Sequence, residues 1–266
     1  MKTILVPTDP ATPQLPALVC ARLLAERFDA IVEGVALRPA FAEVVAPDPI
    51  VAVTLPPADW DEAKYIREAR NLFEQAGQGS KLFRWRGGTA IDDGEIGSLG
   101  RVYDITVLPR PGAKGGRVTA FEAALFDSGR PVLMAPPTAP ATLGDAILIH
   151  WNRSTETARA VAFALPVLAK AKRVQFLYVE GASASGPSTR EAVEHLAAHG
   201  ITATEKSVEP KKGRGPGETI LQEAQAYGAD LLLKGAYTQS RLRQMIFGGA
   251  TSHILAKAEL PVLFAH

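Results

Sequence analysis

At 266 residues the chain is long enough for one large α/β domain or two of average size, and Lys+Arg 29 against Asp+Glu 28 leaves a formal charge of +1. That balance supplies no global field to recruit nucleic acid or an anionic membrane, and the single cysteine, Cys20, excludes an internal disulfide framework and suits a reducing, cytoplasmic compartment. No apolar run reaches the roughly 18 residues of a membrane span, and the first residues lead straight into a strand rather than a signal-peptide core.

Residues 2–7 read as a buried strand, and Thr8-Asp9-Pro10-Ala11-Thr12-Pro13 as the turn into a helix over 14–28, with Leu15, Leu18, Val19, Leu23 and Leu24 at helical spacing. Residues 31–37 form the second strand. The stretch 40–57 carries several prolines among apolar residues and reads as an irregular insertion that folds over its own half or a partner subunit. A helix capped at Asp59 or a neighbour runs to Ala76, with Trp60, Ala63, Ile66, Ala69 and Phe73 on one face. Next come a strand over 81–86, a glycine-interrupted helix over 89–103, a buried strand over 104–108, a loop over 109–117, a helix over 118–128 and a strand over 132–135.

The pattern then begins again, which places a domain boundary near 136–144, between units 1–138 and 144–266. Ala146-Ile147-Leu148-Ile149 repeats Thr3-Ile4-Leu5-Val6, and Pro261-Val262-Leu263-Phe264-Ala265 repeats Pro131-Val132-Leu133-Met134-Ala135. Between these lie a helix over 155–170, a strand over 174–179, and a helix over 188–199 opened by a Ser188/Glu191 capping box. A strand over 202–208, a helix over 217–227 and a strand over 229–234 follow. Strands alternating with helices of this length predict an α/β fold: parallel sheets with right-handed crossovers and helices on both faces, built twice in tandem.

The last stretch, GADLLLKGAYTQSRLRQMIFGGATSHILAKAELPVLFAH, carries the chemistry. Glycines at a strand end and again at a helix start let backbone N–H groups approach a phosphate. It resembles the C-terminal signature of the universal stress protein family, G-x-x-G-(nine residues)-G-[S/T] followed by a helix and a P-V-L strand. Gly235 stands at the first glycine and Gly248 at the third. Thr238 replaces the middle glycine, and Gly249 takes the place of the small hydroxyl residue, with Thr251 and Ser252 close behind.

The resemblance implies two doubly wound units, each a five-stranded parallel sheet of order 3-2-1-4-5, with ligand bound where the order reverses. In the second half it assigns adenine-nucleotide binding (ATP, ADP or AMP, with Mg) to Asn152, Val179, Gly235, Gly248, Gly249, Ala250 and Thr251. Asn152 replaces the family's usual aspartate, and Trp151 and Lys234 are unusual at their positions. Two readings stay open: a binding pocket, or one that Trp151 and Lys234 partly fill. The first half keeps Thr8-Asp9 but follows its fourth strand with Pro109-Arg110-Pro111-Gly112, which removes N–H donors. Asp9 is there read as a turn residue in a dead site.

Lys211-Lys212-Gly213-Arg214-Gly215-Pro216-Gly217 is basic and glycine-rich but lacks the endings of phosphate-binding motifs. Arg241 and Arg243 are placed to meet phosphates or simply water. The histidines show no metal-ligand spacing, and no nucleophile–base pair can be argued. The expectation is a cytoplasmic stress-response regulator that binds nucleotide without rapid turnover, with an unidentified protein partner and no nucleic-acid or membrane partner. The alternatives are a nucleotide-independent interaction module or a weak ATP-hydrolysing enzyme. The near-copied last strands, 132–135 and 262–265, should face each other across a pseudo-two-fold axis, making a pseudo-dimer within the chain, with a true homodimer a further option.

Overall fold

The computed structural model describes residues 1–39, 41, 43–45, 52–54, 59–112, 116–181, 184–210, 213–236 and 249–266. The first half runs β1 (Thr3–Thr8), α1 (Leu15–Phe28), β2 (Ile31–Ala36), β3 (Glu43–Val45), β4 (Ala52–Thr54), α2 (Glu62–Gly77), β5 (Phe83–Trp85), α3 (Asp93–Gly100), β6 (Ile105–Pro109), α4 (Val118–Asp127) and β7 (Val132–Ala135). The second runs β8 (Ala146–His150), α5 (Thr155–Leu168), β9 (Arg173–Val179), α6 (Thr189–Ala198), β10 (Thr204–Val208), α7 (Pro216–Tyr227), β11 (Leu231–Gly235), α8 (Ala250–Lys257) and β12 (Val262–Ala265).

Ten of these strands form one sheet, ordered β10-β9-β8-β11-β12-β7-β6-β1-β2-β5. Each half is therefore ordered 3-2-1-4-5 once β3 and β4 are set aside. Pairing within each half is parallel, and the halves meet through β12 and β7, which run antiparallel with Leu263 opposite Leu133. The expected facing of the two near-copied strands is what the structure shows. Their alternation buries both faces: one core packs α1, α2, α5 and α6 on the sheet, and the other packs α3, α4, α7 and α8. Strands buried on both sides read as unbroken apolar runs, which is why 146–149 and 262–265 were conspicuous.

The helix starts are set by side chains. Ser188 and Glu191 form a reciprocal capping box on α6, as their spacing predicts, and Asp61 accepts from Lys64 N on α2. The predicted helix over 89–103 is shorter, because an Asp92/Glu95 capping box starts it late. Part of the insertion read as irregular is ordered differently: β3 and β4 form an antiparallel pair, Val44 opposite Val53, consistent with the β-branched residues there. The rest of 40–57 lies largely outside the described residues. At its start, however, the Phe41 ring packs edge-on against Trp60, 4.9 Å between centroids.

One device recurs in both halves. The Asp104 carboxylate, just before β6, accepts from Lys2 N at 2.5 Å and Thr3 N at 3.0 Å. The Asp230 carboxylate, just before β11, accepts from Gly144 N, Asp145 N and Ala146 N at 3.0, 3.1 and 2.9 Å. Each aspartate ties the start of its half's first strand to its fourth. Arg27, in the last turn of α1, reaches across to the second half, donating to Asp145 Oδ1 at 2.8 Å and Gly144 O at 2.9 Å.

Candidate functional site

The strand order reverses between β8 and β11, and there the two C-terminal ends lie side by side with Lys234 opposite His150. By alternation with Leu148 and Leu232, both side chains point to the face covered by α7 and α8. Both are buried. Lys234 Nζ donates to Gly235 O at 2.9 Å and to Thr251 Oγ1 at 3.0 Å, on the first turn of α8. Burial brings its pKa down to about 8, with Glu156 pulling weakly the other way. Among the described residues neither ring nitrogen of His150 has a hydrogen-bond partner, and burial, with the Lys234 charge, pushes its pKa down to about 3, so the ring is neutral. Glu156 is also buried, and among the described residues its Oε2 has no hydrogen-bond partner.

Asn152 lies just after β8. Its Oδ1 accepts from Thr157 Oγ1 at 2.5 Å and from Ser154 N at 3.3 Å, so the amide braces the first turn of α5. Val179 ends β9, fully buried on the α7/α8 face. Gly235 is required by packing: a Cβ there would come within 2.4 Å of Thr157 N and 2.7 Å of Thr157 Oγ1. The missing side chain lets the start of α5 close on the end of β11.

Gly249 is different. It caps α8 with φ −82° and no side-chain cap bond, and among the described residues a Cβ there would meet nothing within 4 Å. Among the described residues neither backbone angle nor packing demands a glycine, and none caps Ala250 and Thr251 through a side chain. The first amides of a helix lack internal partners and carry partial positive charge. The structure thus gathers Asn152, Val179, Gly235, Gly249, Ala250 and Thr251 around the ends of three adjoining strands and one helix start. Gly248, Thr238, Arg241 and Arg243 lie outside the described residues, as do Lys211 and Lys212.

The first half holds the pseudo-equivalent site. Strand registers place Leu108 at the position of Lys234, Pro109 at Gly235 and Leu37 at Val179, while the helix caps match Arg117 to Gly249. A cavity of about 10 Å³ remains there, lined by Asp9, Leu37, Leu108, Pro109 and Arg117 among others. Tyr65 Oη donates to Asp9 Oδ1 at 2.6 Å and Ala11 N donates to the same oxygen at 2.8 Å. Arg117 pairs with Asp93 Oδ1 at 2.6 Å and donates to Arg38 O at 2.5 Å. The first-half site is packed shut by its own residues. Reading the sequence half by half had not singled out Tyr65, Arg117 or Glu156. Laying the two helix starts side by side, which sets Arg117 against Gly249, is the signal that would have found the second of these.

Residues 145–266 match the Universal stress protein family. A universal stress protein from Archaeoglobus fulgidus DSM 4304 has the same fold over 99% of this chain and 95% of its own, at TM-score 0.66 and 18% identity. A functionally unknown protein from Pseudomonas aeruginosa PAO1 covers 100% of this chain and 92% of its own, at TM-score 0.58 and 15% identity. Residues 145–266 are a universal stress protein domain. The first half shares the domain's strand order, and the two whole-chain likenesses extend the fold across both halves. The Stress response protein NhaX of Bacillus subtilis (strain 168) is 38% identical over 48 residues, a match spanning 29% of that relative's length. Among the described residues of the universal stress protein domain and its partner half, no group of three His, Cys, Asp or Glu is placed to hold a metal ion, and no helix is long and apolar enough to cross a membrane.

Proposed function

We propose that the chain is a cytoplasmic stress-response regulator of two units, 1–138 and 144–266, in which only the second binds an adenine nucleotide, with Mg and without rapid turnover. The observation that carries this reading is Lys234. Its ammonium is buried at the foot of α8 and, among the described residues, forms no direct ion pair, the buried Glu156 carboxylate acting on it only from beyond ion-pair distance. A buried charge without a directly paired counter-charge is costly, and a phosphate at the start of α8 would supply one. His150, buried with two unpartnered ring nitrogens beside it, leaves further hydrogen-bonding capacity for a polar ligand. The Asn152 amide, Val179 and the Gly248-Gly249 pair complete the set that would face base, ribose and phosphates.

The test is thermal melting with and without millimolar Mg-ATP, alongside assay of ATP consumption. At about 100 times the dissociation constant, ligand stabilises the native state by ~2.7 kcal/mol, a shift of several degrees. Wild type should shift and Lys234→Met should not, while ATP is consumed slowly or not at all. Affinity should also fall as pH rises past about 8, where Lys234 loses its proton. No shift and no co-purifying nucleotide would favour an interaction module, in which Lys234 closes the pocket through Gly235 and Thr251.

A further inference from the structure

A second cavity, of about 320 Å³, lies on the other face of the sheet, between α5 and α6. Trp151, Phe176, Pro187 and Ala192 are among its apolar walls, with Glu191 and His195 supplying polar groups. The tandem repeat shows what is missing from it. Asp61 and Ser188 cap α2 and α6 in the same way, each accepting from the amide three residues on. Counted from these caps, Tyr65 falls at Ala192 and Trp60 at Pro187.

In the first half that space is full. Phe41, Trp60 and Tyr65 run in succession with 4.9 Å between neighbouring centroids, and the Tyr65 hydroxyl is held by Asp9 and Leu37 O. Proline and alanine replace the last two rings in the second half. Phe176 does not refill the volume, because it stands in for another ring. The strand registers match Phe176 to Gly34, whose missing Cβ makes room for Phe73, and counting on from the caps sets Gly200, just beyond the end of α6, at the number of Phe73. Trp151 forms a fixed wall, edge-on to Phe176 at 5.9 Å, with its indole N–H donating to Pro187 O at 3.0 Å.

We infer that this cavity binds a free, neutral, planar aromatic molecule carrying one N–H or O–H donor, of indole or phenol type, where the first half uses the ring of its own Tyr65. Apolar cavities of about 150 Å³ accept benzene, so this one has room for two fused rings. The Glu191 carboxylate, exposed at the rim and held low in pKa by Ser188 Oγ and N, which donate to its Oε2 at 2.7 and 2.8 Å, offers its other oxygen as the acceptor and repels anionic aromatics.

The test is calorimetric titration of the full chain with indole, with phenol and with benzoate. Saturable one-to-one binding of indole or phenol, at least tenfold weaker binding of benzoate, and no effect of saturating Mg-ATP are expected. Ala192→Tyr, which rebuilds the first-half phenol in the space, should weaken indole at least tenfold and raise Tm. Should that variant fail to fold by circular dichroism, Ala192→Leu carries the same expectation with a smaller loss. Absence of saturable binding to wild type, equal binding by the folded filled variant, or displacement of indole by Mg-ATP would each overturn the inference. None of these outcomes depends on whether nucleotide binds at Lys234.

Discussion

The two crevices where the strand order reverses are built on the same topology and end up opposite in kind. In the first half Leu108, Pro109 and the Arg117–Asp93 pair close the space to about 10 Å³. In the second, Lys234, Gly235 and Gly249 stand at the matching positions, and a buried ammonium faces an uncapped helix. The Arg117 guanidinium at the start of α4 is an internal cation whose charge the chain itself answers with Asp93. Among the described residues the Lys234 ammonium makes no such ion pair, and Glu156 acts on it only from a distance. A shared backbone therefore does not make a shared site, and whether an internal carboxylate meets the buried cation separates the two.

The largest expected effect tests whether Gly235 is held by the fold rather than by a ligand. Gly235→Val should destabilise the protein by about 3 kcal/mol or more with no nucleotide present, since the new side chain meets the backbone of α5. Denaturant unfolding measures it, and a near-wild-type midpoint would return Gly235 to a ligand-approach role.

A second test uses acid. The folded-state pKa of His150 lies near 3, below its unfolded value of 6.5, so the unfolded chain binds the extra proton between those limits. Stability should then fall as pH drops from about 6.5 toward 3, by ~1.4 kcal/mol per unit for this group at most. Chemical denaturation of wild type and His150→Leu across that range should show a shallower loss in the variant. Parallel curves would mean that His150 gains a proton partner when folded.

In the first half, Tyr65→Phe should cost about 1 kcal/mol by leaving a buried Asp9 oxygen one donor short, without altering any nucleotide-induced shift. Loss of that shift would put the ligand in the wrong half. The smallest effect is expected at Gly249. Gly249→Ala should change the stability of the ligand-free protein by no more than about 0.5 kcal/mol, because its Cβ meets none of the described residues within 4 Å, yet it should weaken Mg-ATP binding measured by calorimetry. Equal affinity in the two proteins would break the link between the open cap and the phosphates.

Much of the architecture was legible because buried parallel strands announce themselves as apolar runs. The repeated Ile-Leu and Pro-Val-Leu segments gave both the tandem pattern and the pairing of β7 with β12, and the Ser188/Glu191 spacing gave a helix start. The β3–β4 pair was missed because three-residue strands among prolines carry too few alternating positions to show a period. At the site, the glycine pattern pointed to the right end of the sheet but not to the reason for each glycine. Gly235 answers to a helix 78 positions earlier in the chain, at Thr157, and such a contact leaves no local trace. Tyr65 and Asp9 are likewise far apart in sequence, so a carboxylate that looked like a lone turn residue proved to be half of a tertiary hydrogen bond.

The antiparallel seam between β7 and β12 also bears on the order in which the molecule can be assembled. During synthesis Val132–Ala135 leaves the ribosome long before Val262–Ala265, so a completed first half waits with an apolar strand edge unpaired while the whole second half is made. Unpaired edges of this kind are templates for pairing with other chains. The nascent protein is thus most exposed to aggregation or chaperone capture in the interval before its last strand arrives, and slowing translation through 140–260 should lengthen that interval.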